Sequence, residues 1–331
     1  MSRRNAAKKL YAVSRMLHEQ RGGATLKYFL DALHCSRRHG ASAENYLVLR
    51  FFALSERERE EYLTSGRSKA VDAALNRNAK NEDKQRIGRK DLFNKAFRGL
   101  VKRDYVFAPD CAFEEFSAFL DRHETFILKP VAGTMGKGIE KLQSPENREK
   151  FYERCCDERL LLEELILQHP ALGLINPSCV NTVRINAARA ADGGVRLIGA
   201  CLKCGGQGAV TDNFHAGGVA YPLDLETGRV SGPGRNNTDL REFTRHPGTE
   251  HFMPDFQVPF WNEVRGCVMQ GMDRVPSLGY VGWDVALTPE GPELIEGNYH
   301  WPGGNIIQFD RVGKYPLILS CLGEEYEKHT D

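Results

Sequence analysis

Long apolar runs are missing from this sequence of 331 residues. A membrane-spanning helix needs about 18 apolar residues in a row, whereas the stretch LVLRFFAL at 47–54 is interrupted by Arg50. The N-terminus is basic but lacks the apolar core of a secretory signal. We therefore expect a cytoplasmic protein without a membrane span.

A surplus of either charge is also missing. Lys and Arg number 45 against 44 for Asp and Glu, which gives a formal net charge of +1. That balance gives no reason to expect a nucleic acid as a partner. The basic start of the chain, with Arg3, Arg4, Lys8 and Lys9, is interpreted as a solvated helix face rather than a contact with acidic partners.

Paired metal-binding motifs are absent as well. The nine cysteines are an odd number and mostly scattered, which suits reduced thiols. The pair Cys201-x-x-Cys204 resembles half of a zinc site, but no second CxxC and no HxxxH completes it. We favour buried or surface thiols over a zinc or redox site.

Proline does not occur in residues 1–85, where apolar residues recur at helical spacing. Helix breaks are expected near Gly22 and Gly40. We predict a helical N-terminal region over 1–88 and a further helical stretch over 89–103.

Beyond that stretch, short β-rich segments alternate with Gly-rich turns. The predicted strands are FILKPV (126–131), LLLEELIL (160–167), TVRINAARA (182–190), VRLIGACLK (195–203), GYVGWDVAL (279–287) and PELIEGN (292–298). Helices are expected over 114–122 and 146–153 and near 259–272, and long loops over 204–218 and 231–255. Strands mixed with occasional helices indicate an α+β fold.

The segment FILKPVAGTMGKGIEKL at 126–142 places Lys129 on a strand before a glycine-rich loop. The loop contains Gly133, Gly136, Lys137 and Gly138. Closely spaced glycines let backbone N–H groups approach phosphate oxygens, and a nearby lysine can neutralise them. Neither a P-loop nor a GxGxxG fingerprint is present. An ordinary Gly-rich hairpin remains the alternative.

Two carboxylates, Glu163 and Glu164, interrupt the otherwise apolar segment LLLEELILQH. Adjacent residues of a strand face opposite ways, so one of them would point into a pocket and the other to solvent. A carboxylate at such an edge can pair with the amino group of adenine. An edge strand with solvated acids is equally compatible.

The segment NPSCVNTVRINAA puts Thr182, Arg184 and Asn186 on one face of a strand. An arginine on a polar strand face can bind phosphate or carboxylate at two points. A surface salt bridge is the alternative interpretation.

The segment GWDVALTPEGPELIEGN at 282–298 reads as a hairpin. If the strands pair symmetrically about Glu290, Asp284 lies opposite Glu296, and Asn298 lies two residues further on the same face. Carboxylates that face each other between apolar strands are destabilising, and a hard cation removes the conflict. Two carboxylates and an amide oxygen suit Mg²⁺ together with phosphate and water, which we favour over two solvated acids.

Taken in order, these four segments resemble the ATP-grasp superfamily, most of all its sugar-transfer-associated branch, from about residue 90 to 316. The resemblance implies two α+β lobes that clasp ATP: a small lobe over 89–168 with a glycine-rich flap, and a large lobe over 169–331 with a metal-binding hairpin. One departure is the helical region 1–88, because most ATP-grasp ligases begin with a Rossmann-like domain.

The resemblance also implies a role for single residues. For the ATP phosphates it implies Lys129 and the flap residues Gly133, Gly136, Lys137 and Gly138. For adenine it implies the interlobe strand with Glu163, Glu164, Leu165 and Ile166, and for ribose Gln168. The phosphate-facing loop would contain Asn213. The ligands of two Mg²⁺ ions would be Asp284, Glu296 and Asn298, with Glu296 bridging. Arg184 would act with Lys129 in catalysis, near the γ-phosphate and the acyl phosphate.

The reaction implied is ATP-dependent activation of a carboxylate, with ADP formed, for attack by an amine. Substrates would be amino acids, peptides or sugar-derived acids, and a homodimer is left open. Two other hypotheses stay open: a small-molecule kinase that phosphorylates a hydroxyl, and a non-catalytic ATP sensor or scaffold. Release of inorganic phosphate distinguishes a ligase from a kinase.

Overall fold

A computed structural model of the chain describes residues 3–132, 138–206, 208–209, 211–238, 241–299 and 304–323. The helices are α1 (Arg3–Arg21), α2 (Thr25–Arg38), α3 (Ala43–Val48), α4 (Glu56–Glu61), α5 (Ser65–Leu75), α6 (Asn81–Gly88), α7 (Lys90–Ala96), α8 (Phe113–Arg122), α9 (Arg148–Asp157), α10 (Pro170–Ile175), α11 (Trp261–Asp273) and α12 (Tyr315–Leu322). The strands are β1 (Tyr105–Phe107), β2 (Thr125–Pro130), β3 (Glu140–Gln143), β4 (Leu160–Glu164), β5 (Thr182–Arg189), β6 (Val195–Cys204), β7 (Val219–Leu223), β8 (Tyr280–Thr288) and β9 (Gly291–Asn298).

The N-terminal region is helical, with breaks at both predicted glycines: α1 ends before Gly22, and α2 ends before Gly40. The helix predicted over 89–103 is too long. Helix α7 ends at Ala96, and Gly99 follows with a φ of 86°, a conformation that a helix cannot contain. None of the helices among the described residues is both long and apolar enough to cross a membrane.

The strands form two sheets, which confirms the α+β class. A four-stranded sheet has the order β1-β4-β2-β3, and a five-stranded sheet has the order β7-β6-β5-β8-β9. Every pairing within them is antiparallel. Five of the six predicted strands match to within a residue or two, whereas β4 stops at Glu164 and leaves 165–169 as a linker. Strand β7 was missed because its five residues lie beside a long glycine-rich loop.

The hairpin of β8 and β9 has the predicted register at the two acids, for a reason that the sequence does not show. Its turn is tighter than assumed, since Thr288 pairs with Gly291 and not with Pro292. That register alone would place Asp284 opposite Ile295. A bulge at Ile295 adds one residue to β9, so Asp284 pairs with Glu296.

The two faces of the five-stranded sheet pack against different layers. On one face, Val183 and Ile185 of β5 join a core with α7 and α11. On the other face, Cys201 and Tyr280 join a core with buried residues of the N-terminal helices, such as Leu17. Because Cys201 pairs with Arg184, the N-terminal region covers part of the sheet face that carries Arg184.

A buried arginine links the two sheets. Arg103 donates from Nε to Glu163 of β4 at 2.7 Å and from Nη1 to Glu293 of β9 at 3.1 Å. The same Nη1 bonds to the Leu294 carbonyl at 2.8 Å. The side chains of all three ionic partners are 5% exposed or less. The guanidinium group of Arg103 therefore helps to fix the relative position of the two sheets.

We expect Arg103→Ala to lower the free energy of unfolding by about 3–5 kcal/mol, because it leaves Glu163 and Glu293 buried without their shared cation. Arg122→Ala is the matched control. Arg122 pairs with Asp104 at the surface, and such pairs contribute about 0–1 kcal/mol. Urea unfolding of both variants measures the difference, and equal losses would contradict the assigned role of Arg103.

Candidate functional site

A row of polar side chains crosses the five-stranded sheet. Arg184 of β5 pairs with Asp284 of β8, which in turn pairs with Glu296 of β9. Residues directly opposite each other in antiparallel strands project to the same face, so these three side chains are neighbours. Asn298 lies opposite Gly282, in the next row of the same face.

Asp284 is the centre of this row. Its carboxylate accepts two hydrogen bonds from Arg184, from Nε at 2.8 Å and from Nη2 at 2.7 Å, and Lys203 Nζ lies 3.0 Å away. Burial alone would raise the pKa of Asp284, but Arg184 and Lys203 hold it well below its usual range. The carboxylate is therefore a permanent negative charge between two cations.

Two further charged residues of this site were not identified from the sequence. Lys203 of β6 pairs with Thr182 and lies between Asp284 and Asp212, whose carboxylate is 3.4 Å from Nζ. Asp212 also accepts a short hydrogen bond from Thr182. The two acids raise the pKa of Lys203 despite its burial. The available signal in the sequence was Lys203, a charged residue at the end of the mainly apolar segment VRLIGACLK.

Glu296 differs from Asp284 because it lies at the exposed side of the row. The surrounding protein and then the Asp284 carboxylate raise its pKa, although the side chain still reaches solvent. Asn298 Nδ2 donates to the Glu296 carboxylate at 3.2 Å. Two opposed carboxylates and a neighbouring amide offer oxygen donors of the kind that Mg²⁺ prefers, so this donor set fits Mg²⁺.

Lys129 and Glu163 form a second ionic group on the four-stranded sheet. Lys129 Nζ lies 2.5 Å from Glu163, and burial lowers its pKa. The Glu163 carboxylate also bonds to Arg103 and to Asn94 Nδ2 at 2.7 Å. Both oxygens of Glu163 therefore have partners within the protein, and the pairing of Glu163 or Glu164 with adenine stays a prediction.

Lys90, at the start of α7, connects the two ionic groups. Its backbone N–H bonds to the Val131 carbonyl at the end of β2. Burial lowers the pKa of its side chain, while Glu296 and Glu163 act on it from the two sheets in the opposite direction. This second unpredicted lysine therefore lies between the acid pair and the Lys129 group.

The linker after β4 presents backbone groups to its surroundings. Glu164 accepts from the Asp104 N–H at 2.9 Å, which uses its side chain locally. Among the described residues, no hydrogen bond reaches the main chain of Leu165 or Ile166. Adenine presents one donor and one acceptor along an edge, which an exposed backbone segment can match.

The ribose contact of Gln168 stays a prediction, and the structure shows which groups its side chain contacts within the protein. Its amide nitrogen donates to the carbonyls of Asn176 and Cys179, and its oxygen accepts twice from Asn181. All four hydrogen-bonding positions of the amide are therefore filled from within the protein. Gln168 fixes the approach to β5 through these contacts.

Part of the predicted phosphate site lies outside the described residues, namely Gly133, Gly136 and Lys137. Gly138 is described and has a φ of 74°. Asn213 caps a short 3₁₀ helix by accepting from the His215 N–H at 2.9 Å, next to Asp212 of the polar row.

The sequence matches the family model for sugar-transfer associated ATP-grasp proteins over residues 100–313. This range includes both sheets and all of the polar residues described above except Lys90 and Asn94. No curated protein matches the sequence.

Solved structures of ATP-grasp enzymes are similar in outline. N5-carboxyaminoimidazole synthetase from Staphylococcus aureus, complexed with ADP, has 9% identity and a TM-score of 0.46, over 74% of this chain and 54% of that one. D-alanyl-alanine synthetase A from Vibrio cholerae has 11% identity and a TM-score of 0.44, over 76% and 64%. The ligase PsnB, complexed with a variant of its minimal precursor, Mg and ADP, has 14% identity and a TM-score of 0.44, over 77% and 67%. The chain spans about half the length of the N5-carboxyaminoimidazole synthetases it matches.

We expect the two acids of the hairpin to respond differently to neutralisation. Asp284→Asn should lower the free energy of unfolding by about 3–5 kcal/mol, because Arg184 and Lys203 lose their shared buried anion. Glu296→Gln should preserve or raise stability without metal, because it removes repulsion from Asp284.

Thermal unfolding with and without Mg²⁺ tests this difference. Mg²⁺ should raise the melting temperature of the wild type and leave that of Glu296→Gln unchanged. The assignment would be contradicted if both variants lost the same amount of stability. It would also be contradicted if Mg²⁺ raised the melting temperature of Glu296→Gln as much as that of the wild type.

Proposed function

The chain belongs to the family of sugar-transfer associated ATP-grasp proteins, and we propose that it is an ATP-dependent ligase that joins a carboxylate to an amine with formation of ADP. The observation that carries the proposal is the row of Arg184, Asp284 and Glu296 with Lys203 beside it. Phosphoryl transfer needs positioned cations and metal ligands rather than a protein nucleophile, and this row supplies both.

In this proposal ATP lies between the two sheets, with the small lobe over 89–168 and the large lobe over 169–331. The main chain of Leu165 and Ile166 binds the adenine edge. Lys129 and Lys90 face the phosphates, and the flap with Gly133, Gly136, Lys137 and Gly138 closes over them. Asn213 belongs to the loop on the acceptor side of the γ-phosphate.

Asp284, Glu296 and Asn298 would hold Mg²⁺, and we propose two ions with Glu296 between them. When bound, Mg²⁺ supplies positive charge to the β- and γ-phosphate oxygens. Arg184 and Lys203 keep Asp284 ionised and oriented.

Arg184 stabilises the charge that develops on the transferred phosphoryl group and on the acyl phosphate oxygen. The substrate carboxylate attacks the γ-phosphorus, the bond to the β-phosphate oxygen breaks, and ADP leaves. The amine then attacks the acyl carbon and releases inorganic phosphate. The substrates proposed are amino acids, peptides or sugar-derived acids.

The direct test is a screen of carboxylate and amine pairs, read out by ADP release and by mass spectrometry of the product. A ligase releases one phosphate per ADP only when both substrates are present. Phosphate retained on a hydroxyl product would instead indicate a kinase, and absence of ADP release with every pair would favour a non-catalytic ATP-binding protein.

We expect Arg184→Lys to lower kcat by about 10²-fold with a smaller change in the KM for ATP, because an ammonium cannot reproduce the planar two-point contact with Asp284. Arg196→Lys is the control, since Arg196 is half-exposed on β6 and pairs with Asp192. Steady-state ADP release measures both variants. A change confined to the KM for ATP would make Arg184 a binding residue instead.

A further inference from the structure

Three arginines converge on one carboxylate oxygen at the edge of the five-stranded sheet. The Nη2 atoms of Arg50, Arg235 and Arg311 lie 3.2, 3.2 and 3.1 Å from Oε1 of Glu242. Arg50 comes from the N-terminal region and follows α3, whereas the other residues belong to the large lobe. The cluster therefore lies where these two parts meet.

Positive charge exceeds negative charge in this cluster. Among the described residues of the cluster, Arg235 and Arg311 carry two positive charges and Glu242 carries one negative charge. Arg50 is left out of this count. Arg235 is only 4% exposed, and its Nε has no hydrogen-bond partner there. Burial, followed by the neighbouring Arg50, lowers the pKa of Arg235. An environment that disfavours its own cations attracts an anion.

The backbone holds two of the arginines in an unusual conformation. Arg50 has a φ of 56° and Arg311 a φ of 65°, both in the left-handed region that residues with a Cβ avoid. Arg311 is also 62% exposed, so its ion pair with Glu242 adds little stability. Strained backbone that positions a mostly exposed cation is more readily explained by a ligand than by folding.

The cluster faces the same side of the sheet as the polar row. Arg235 forms a bridge with Ala220, and Ala220 pairs with Lys203. Opposite residues project to one face, so the Arg235 and Lys203 side chains share it, and the Ala220 between them is fully buried in the core shared with the N-terminal helices. Two strand spacings separate their backbones by roughly 10 Å.

We propose that Arg50, Arg235 and Arg311 bind a second anionic group of the acceptor substrate, a carboxylate or a phosphate, at a distance from the carboxylate that is activated. The inference rests on the proposed function and specifies its acceptor substrate as a molecule with two anionic groups. Glu242 competes with the ligand for the arginines and holds them in place without it.

The test measures binding rather than turnover. Full-length protein is saturated with Mg²⁺ and a non-hydrolysable ATP analogue, so that the nucleotide phosphate site is filled, and is then titrated with inorganic phosphate or with glutarate. The melting temperature reports binding. We expect at least one anion to raise it in the wild type, and the tighter of the two identifies the group.

Two variants should move affinity in opposite directions. Arg311→Ala should weaken the anion at least tenfold, and Glu242→Gln should strengthen it several-fold because it removes the competing charge. Arg196→Ala, an exposed arginine outside the cluster, should bind like the wild type. A network with only a structural role would show no gain in Glu242→Gln.

Failure of the inference is distinguishable from failure of the proposed function. The inference alone would be overturned if the nucleotide analogue bound normally but no anion bound. It would also be overturned if Arg311→Ala bound the anion with wild-type affinity, or if Glu242→Gln showed no gain in anion affinity. Absence of nucleotide binding would overturn the proposed function, while the same titration without nucleotide would still decide the anion site.

Discussion

The guanidinium group of Arg103 connects carboxylates that belong to different sheets. A buried cation with two buried acids is stable only when all of its partners are present, so the sheets cannot separate without leaving charges unpaired in the interior. The same Glu163 oxygen that binds Arg103 also binds Lys129. The position of Lys129 relative to the hairpin of β8 and β9 therefore follows from the link between the sheets.

The hairpin shows how a correct prediction of strand pairing can rest on an incomplete reason. Asp284 pairs with Glu296 as predicted, while the cation site that these opposed acids indicate stays a prediction. The turn is nevertheless one residue tighter than assumed, and only the bulge at Ile295 places Glu296 opposite Asp284. Without a bulge the second acid would face the other side of the sheet. Bulges depend on packing around a strand, which a single sequence does not display.

Strand positions could be read from the sequence because alternation of apolar and polar residues is a local property. The partners of charged residues could not, because they depend on strand order. Lys203 reaches Asp284 only because β6 lies beside β5, and β5 beside β8. For the same reason the sequence did not show that Glu163 pairs with Arg103. Nor did it show that Gln168 contacts the loop before β5. In each case the residue type indicated a polar contact, but the sequence did not show which group the residue contacts.

The helical N-terminal region packs against the five-stranded sheet, and this packing indicates what it contributes. Its apolar residues share a core with the sheet face that carries the polar row, so it cannot be a detached appendage.

The N-terminal region reaches the large lobe through Arg50, whose strained backbone directs the side chain to the carboxylate that Arg235 and Arg311 also bind. If the conformation at residue 50 served folding alone, a glycine would adopt it with less strain. An arginine in that conformation is explained if its side chain contacts a group on the acceptor side of the sheet. The helices that precede the ATP-grasp fold would then take part in substrate selection.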